Sequence, residues 1–252
     1  KCGRRCDWPV PPDSSKWGTV ELFRVSHGTR HYPAATGELT KDEINGMMTS
    51  LARMKRGDPT ATFAIWARTA TRSFWVDGDY SASIIQSHIS TEVLLDAVLL
   101  LLAWEEGIPA TEASEWFDSH LAKRVRTYYH PRLSGDWDTT KASTAVGLWS
   151  AAIRVPRNRI VHRGYLPSLD EAREALDASA ELEDFIKDQL AAARNKYPRT
   201  VLMVLGTPGL IKRDLLKGKI KKFIDEVADI EPDWFRSFAT WVEGFENARL
   251  NR

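Results

Sequence analysis

From Tyr80 to Glu106 the chain reads as one long helix, apolar on most sides in its second half, Val93 to Trp104, where only Asp96 interrupts the run. A helix of that kind needs apolar cover all round. The rest of the chain must therefore build a bundle about it, with a partner chain as a further source of cover. The run from Val93 to Trp104 falls short of the ~20 residues a membrane span requires, so it reads as buried core and no membrane role is expected.

The remaining pattern supplies the bundle. Ala61 to Phe74 carries Phe63, Ile65, Trp66, Ala67 and Ala70 and ends at the turn signal Asp77-Gly78-Asp79. Pro109 opens the next helix, with Phe117, Leu121, Val125 and Tyr128 at three- and four-residue spacing. A loop of Pro, Gly, Ser and Asp follows from Pro131 to Thr140, then a helix from Lys141 to Val155. Ser168-Leu169-Asp170-Glu171 is a capping box, in which serine and glutamate satisfy each other's open amides. It starts a helix running to about Asn195, with Leu169, Ala172, Leu176, Ser179, Leu182, Ile186 and Leu190 on its inner side.

Three regions are expected: a flanking segment at 1–57, an all-α bundle at 58–197 and a helical extension at 198–252. The first holds a candidate strand, Thr19 to Val25, and an amphipathic helix, Lys41 to Arg56. In the last, Thr200 to Leu205 reads as a strand or a buried turn of helix, and Leu210 to Ile230 and Asp233 to Asn247 read as helices. No segment reads as a secretion signal, and a cytoplasmic location is expected.

The chemistry concentrates in Arg157-Asn158-Arg159-Ile160-Val161-His162. Scission of RNA by the ribose 2'-hydroxyl needs a base at the attacking oxygen, positive charge on the phosphate and an acid at the departing 5'-oxygen. An imidazole such as His162 exchanges a proton near neutral pH. Arg157 offers a fixed fork of donors to a phosphate, and Asn158 can orient a phosphate oxygen or the ring. On a helix Asn158 and His162 share a face, while Arg157 lies about 140° round from His162 at ~3.6 residues per turn and must reach with its length. Pro156 precedes the motif, so the preceding helix is expected to stop near Val155. A short helix would then open at Pro156 and close at Gly164, its free amides favouring an anion beside Arg157.

Arginine, a polar amide after it and histidine four residues past the amide resemble the R-x(4-6)-H signature of the HEPN family. The helix order from Asp58 to Tyr197, including the Asp-Gly-Asp-Tyr turn before a helix bearing Glu92, resembles the bundle of that family. The resemblance implies an all-α, HEPN-like antiparallel helical bundle, here with N- and C-terminal extensions. It further implies a homodimer with active sites at the interface, where a two-fold axis brings a second His162 to the cleft. Metal-independent cleavage to a 2',3'-cyclic phosphate and a 5'-hydroxyl is the implied reaction, in a toxin, phage-defence or RNA-processing setting, with an antitoxin or other regulatory protein as a further partner. Because the nucleophile is the 2'-hydroxyl, DNA should be inert.

A formal net charge of +1 excludes a protein-wide basic field, so contact with RNA must rest on local clusters. Arg154, Arg159 and Arg163 join Arg157 in one, as candidate substrate contacts; Lys217, Lys219, Lys221 and Lys222 form another that reads first as a solvated helix face. His120 and His130 flank Lys123, Arg124, Arg126, Tyr128 and Tyr129, a mixture able to stack and neutralise a single strand, with helix packing the simpler reading. His88 reads as a core or interface histidine. Cys2, Cys6, His27 and His31 suit a structural zinc, although the gap from Cys6 to His27 exceeds finger spacing; the alternative is free thiols. The proposed cleavage needs no cofactor. P-loop, dinucleotide-fingerprint, serine-elbow and helical zinc-protease motifs are missing from the sequence. The competing reading is a non-catalytic HEPN module that binds nucleotide, RNA or a partner protein through the same cleft.

Overall fold

The structure is a computed structural model that describes residues 59–228 and 233–251, with 41, 44, 45, 48, 51 and 52. The strand expected at Thr19–Val25, the candidate zinc ligands Cys2, Cys6, His27 and His31, and most of the helix expected at Lys41–Arg56 lie outside the described residues. Among the described residues the fold is all-α, without a strand.

α1 (Pro59–Arg72) widens into a five-residue π turn, Ser73–Asp77, and stops at Gly78, whose φ of 64° is the left-handed conformation glycine tolerates best. The Asp79 carboxylate accepts from the Ala82 N–H and so caps α2 (Tyr80–Glu105). By length and composition this 26-residue helix could cross a membrane, so the expectation that the run is too short for a span does not hold for the helix as a whole; here most of it is core. Leu94, Leu95, Val98, Leu99, Leu101 and Leu102 are all sealed from solvent.

Cover comes from every direction. α1 lies along α2, and α7 (Leu169–Ala192) lies beside it with Ala172, Ala175, Leu182, Ile186 and Leu190 fully buried. The capping box opens α7 as its sequence predicts. Leu169, expected on the inner side, is exposed instead: as the first residue of the helix it precedes the turn that meets the core. The helix expected after Pro109 is broken in two, α3 (Ala110–Trp116) and α4 (Leu121–Arg124), the latter running on through a π turn at Val125–Tyr129.

α5 (Ala145–Trp149), a π turn at Ser150–Arg154 and α6 (Val155–Arg163) form one continuous rod. The indole N–H of Trp149 donates to Thr91 Oγ on α2 at 2.9 Å. The break expected at Pro156 does not occur: Arg154 and Val155 both keep right-handed helical backbone, φ −64°, ψ −43° and φ −68°, ψ −51°. The Val155 N–H reaches back five residues to the Ser150 carbonyl. In this wide turn the ladder changes from five-residue to four-residue bonds, and the missing N–H of Pro156 falls at the change. No helix N-terminus therefore opens beside Arg157, and the anion site expected from free amides is withdrawn. The rod ends at Gly164, φ 62°.

The C-terminal helices share this core. α8 (Pro198–Val204) occupies the segment left open between strand and helix, with the Arg199 and Thr200 N–H groups donating to the Glu105 carboxylate at 2.8 and 2.7 Å. The expected Leu210–Ile230 helix is two, α9 (Gly206–Lys212) and α10 (Lys219–Ala228). α11 (Trp234–Leu250) packs on α3 and α2, with Phe245 edge-on to Phe117 and Phe238 edge-on to Trp104.

Gly147 marks the tightest point under the rod. A Cβ there would lie 1.8 Å from the Lys141 carbonyl oxygen, a backbone atom that cannot swing aside. Gly147→Ala is expected to destabilise the fold by roughly 1–3 kcal/mol, read as a fall in Tm of roughly 2–4 °C for each kcal/mol lost; an unchanged thermal melt would contradict the packing described.

Candidate active site

The rod has two sides here. Ile153 of the π turn and Pro156 of α6 are buried and Ile160 packs against the core, while Asn158 and His162 are exposed on the opposite side with Val155 and Val161. The half-buried Arg157 joins the two: its Nη1 donates to Asn158 Oδ1 at 3.1 Å, turning the guanidinium toward the side that carries His162. On the inward side its charge acts on His88 of α2.

His88, Glu92 and Asp96 form a polar stripe along α2 at four-residue spacing. Arg124 of α4 holds its inner end, with Nη2 at 2.9 Å from each Asp96 oxygen, Nη1 donating to the Ser119 carbonyl at 2.6 Å and the guanidinium over the Phe117 ring. The same Nη2 lies 3.8 Å from Glu92 Oε1, and Glu92 Oε2 lies 3.6 Å from His88 Nδ1. Beyond His88, on the rod, Arg157 and Arg154 add their charge to its surroundings, the latter donating from Nε and Nη2 to the Ser150 hydroxyl at 3.2 and 3.0 Å. The sequence therefore becomes a line of alternating charge, from Asp96 through Arg124 and Glu92 to His88 and the two arginines.

Electrostatics follow from this order. Burial lowers the His88 pKa from 6.5, Glu92 opposes that, and the charges of Arg157 and Arg154 push it further down, so the ring favours its neutral form. Burial also raises the Asp96 carboxyl to about 6, against the pull of Arg124. Among the described residues, neither Arg154 nor Arg157 has a carboxylate within ion-pair distance. Two guanidiniums beside a neutral imidazole leave net positive charge, the condition for holding an anion.

The other candidates divide. Arg159 is occupied: its guanidinium sits 3.5 Å above the Tyr165 ring and 3.6 Å from Glu171 Oε1, and Tyr165 donates its hydroxyl to the same carboxylate, so it braces the start of α7. Arg163 is exposed on the last turn of α6. Packing claims three residues of the stretch around Tyr128 and Tyr129, while His120, Lys123, Arg126 and His130 are exposed: Tyr128 stacks on Trp116, Tyr129 is buried with its hydroxyl donating to the Leu95 carbonyl, and Arg124 is in the ion pair with Asp96. Lys217 pairs with Asp214 and Lys222 with Glu226, as on a solvated face. Among the described residues no three His, Cys, Asp or Glu side chains gather as a metal site. No family model, curated protein or solved structure matches this chain.

Sequence reading passed over His88, Glu92 and Asp96 as members of one group. The signal was present in their spacing of four and four along a helix whose second half is apolar on most sides, where a charged residue is costly unless partnered.

Asp96 yields a test of this network. Its carboxyl keeps its proton up to about pH 6 in the folded chain but only to 3.8 as an ordinary aspartate, so within that window the folded state holds more protons. Stability present below the lower value is lost as pH rises through the upper one. Denaturant midpoints measured across this range should decline with pH in the wild type relative to Asp96→Asn; parallel curves would mean that burial does not govern this group.

Proposed function

We propose that this chain is a metal-independent endoribonuclease of HEPN type, with an antiparallel HEPN-like bundle as its scaffold. The observation that carries the reading is the bond from Arg157 to Asn158. It turns an arginine with no carboxylate partner among the described residues toward the exposed side bearing His162. The three residues then divide the work that cleavage requires. Arg157 holds the scissile phosphate and offsets the charge that grows there. Asn158 orients the guanidinium and, once a phosphate takes the fork, one of its oxygens. His162 moves a proton at the 2'- or the 5'-oxygen.

In-line attack forms the bond from the 2'-oxygen to phosphorus and breaks the bond to the 5'-oxygen. One proton leaves the 2'-hydroxyl and another arrives on the departing oxygen. The two events lie on opposite sides of phosphorus, so one imidazole cannot serve both in a single step. A second copy of the chain related by a two-fold axis supplies the second His162. The exposed Val155, Val161 and Leu166 near this side of α6 support burial there by a partner surface.

Those apolar residues equally favour a second reading, a non-catalytic module whose outward α6 face binds a partner protein or a nucleic-acid strand. Labelled RNA incubated with the protein in EDTA separates the two. Cleavage to 2',3'-cyclic phosphate ends, reduced by about 100-fold or more in His162→Ala and by a similar factor in Arg157→Ala, supports the nuclease. Equal cleavage by wild type and His162→Ala removes the histidine from the reaction; strand binding without turnover, unchanged in His162→Ala, supports the binding module.

A further inference from the structure

From Ser119 to Gly135 the chain has no Asp or Glu, yet it carries Lys123, Arg124, Arg126, Arg132, His120 and His130. The fold divides these six. Arg124 is drawn inward to Asp96 and Glu92 of α2, and Arg132 pairs with Glu106 while its guanidinium lies 4.5 Å from the centre of the Trp116 ring. Because Leu121, Val125 and Tyr129 are buried beside Arg124, the other side of α4 and of its π turn has to face out. His120, Lys123, Arg126 and His130 are exposed there, at spacings of three, three and four that follow one side of a helix for roughly 15 Å at ~1.5 Å per residue. Among the described residues none of the four has a carboxylate within ion-pair distance. Lys141, Arg173, Lys217 and Lys222, equally on the surface, do have one. Asp118 and Asp136 bound the stretch in sequence, and Asp136 is bonded to Lys141 at 2.6 Å.

We propose that this side of α4 is a second contact for RNA, on which the sugar-phosphate backbone of a single strand lies against Lys123 and Arg126, with His120 and His130 donating ring N–H groups at either end. Unpaired cations in a row neutralise successive phosphates and release their counterions. An imidazole offers at least one N–H whether neutral or charged. A protein partner fits less well: no large apolar side chain between Ser119 and Gly135 is exposed, so the face lacks the apolar centre of a protein interface. Backbone contacts of this kind position a strand without reading its bases. The identity of the strand as RNA rests on the ribonuclease reading above, while the face itself uses none of Arg157, Asn158 and His162.

The test is the salt dependence of binding to a fluorescent single-stranded 2'-deoxyoligonucleotide, which offers the same phosphates but lacks the nucleophile and stays intact. In the double variant Lys123→Gln, Arg126→Gln the slope of log affinity against log salt should be shallower by about 1.4, since each phosphate neutralised on a single strand contributes about 0.7. That corresponds to binding about 25-fold weaker at 0.1 M salt for two proteins that bind alike at 1 M. Parallel slopes with equal affinity overturn the proposal. Should the double variant melt early, each single variant reads half of the change. Loss of poly-glutamate binding in the double variant, with oligonucleotide binding intact, assigns the face to an acidic protein and also overturns the proposal. RNA cleavage by the wild type together with parallel slopes would sink this inference and leave the nuclease reading intact; divergent slopes without cleavage would do the reverse.

Discussion

A helix whose second half is apolar on most sides cannot face water, and α2 makes the rest of the molecule a covering for it. The area at stake is large: each fully buried Leu or Val contributes about 1.5–3 kcal/mol relative to its exposed state, and Leu94, Leu95, Val98, Leu99, Leu101 and Leu102 are all in this condition. α1, α7, the α5–α6 rod, α8 and α11 each bury a face against it or against helices already placed on it. The C-terminal helices belong to the same covering. Glu105, at the end of α2, caps the start of α8, and Trp241 donates its indole N–H to the Ile108 carbonyl just beyond α2.

Enclosure makes the polar residues of α2 consequential. Unpartnered, a carboxylate at Asp96 would cost several kcal/mol in such surroundings, and Arg124, whose Nη2 reaches both carboxylate oxygens, offsets that cost. The alternating line of charge that begins there runs by Glu92 to His88, on the part of α2 that the rod crosses. Arg154 and Arg157 end the line without a carboxylate of their own among the described residues, so positive charge appears where a strand could reach it. Packing in the core and chemistry at the surface are thus joined through one helix face.

Much of this was legible in the sequence. The apolar run marked the central helix, Gly164 marked the end of α6, and the Ser168–Glu171 box marked the start of α7 because each device acts within one or two turns. The four-residue spacing of Asn158 and His162 gave their common side. What could not be read depended on tertiary geometry. Pro156 argues locally for a break, but the π turn at Ser150–Arg154, with its buried Ile153, carries the helix through. Arg124 and Tyr129 have the composition of a binding surface, and only the position of α4 against α2 sends them inward. Arg159 was indistinguishable from Arg157 until Tyr165 and Glu171 came within reach of it.

The central claim is that Arg157 delivers a phosphate to the side of α6 that carries His162. A structure of the protein bound to a single-stranded oligonucleotide with 2'-deoxyribose at the scissile position tests it most directly. The account predicts a phosphate held by the Arg157 fork with the His162 ring within hydrogen-bond distance of its 2'- or 5'-side. Arg157 still bonded to Asn158, with the strand bound away from His162, would contradict it.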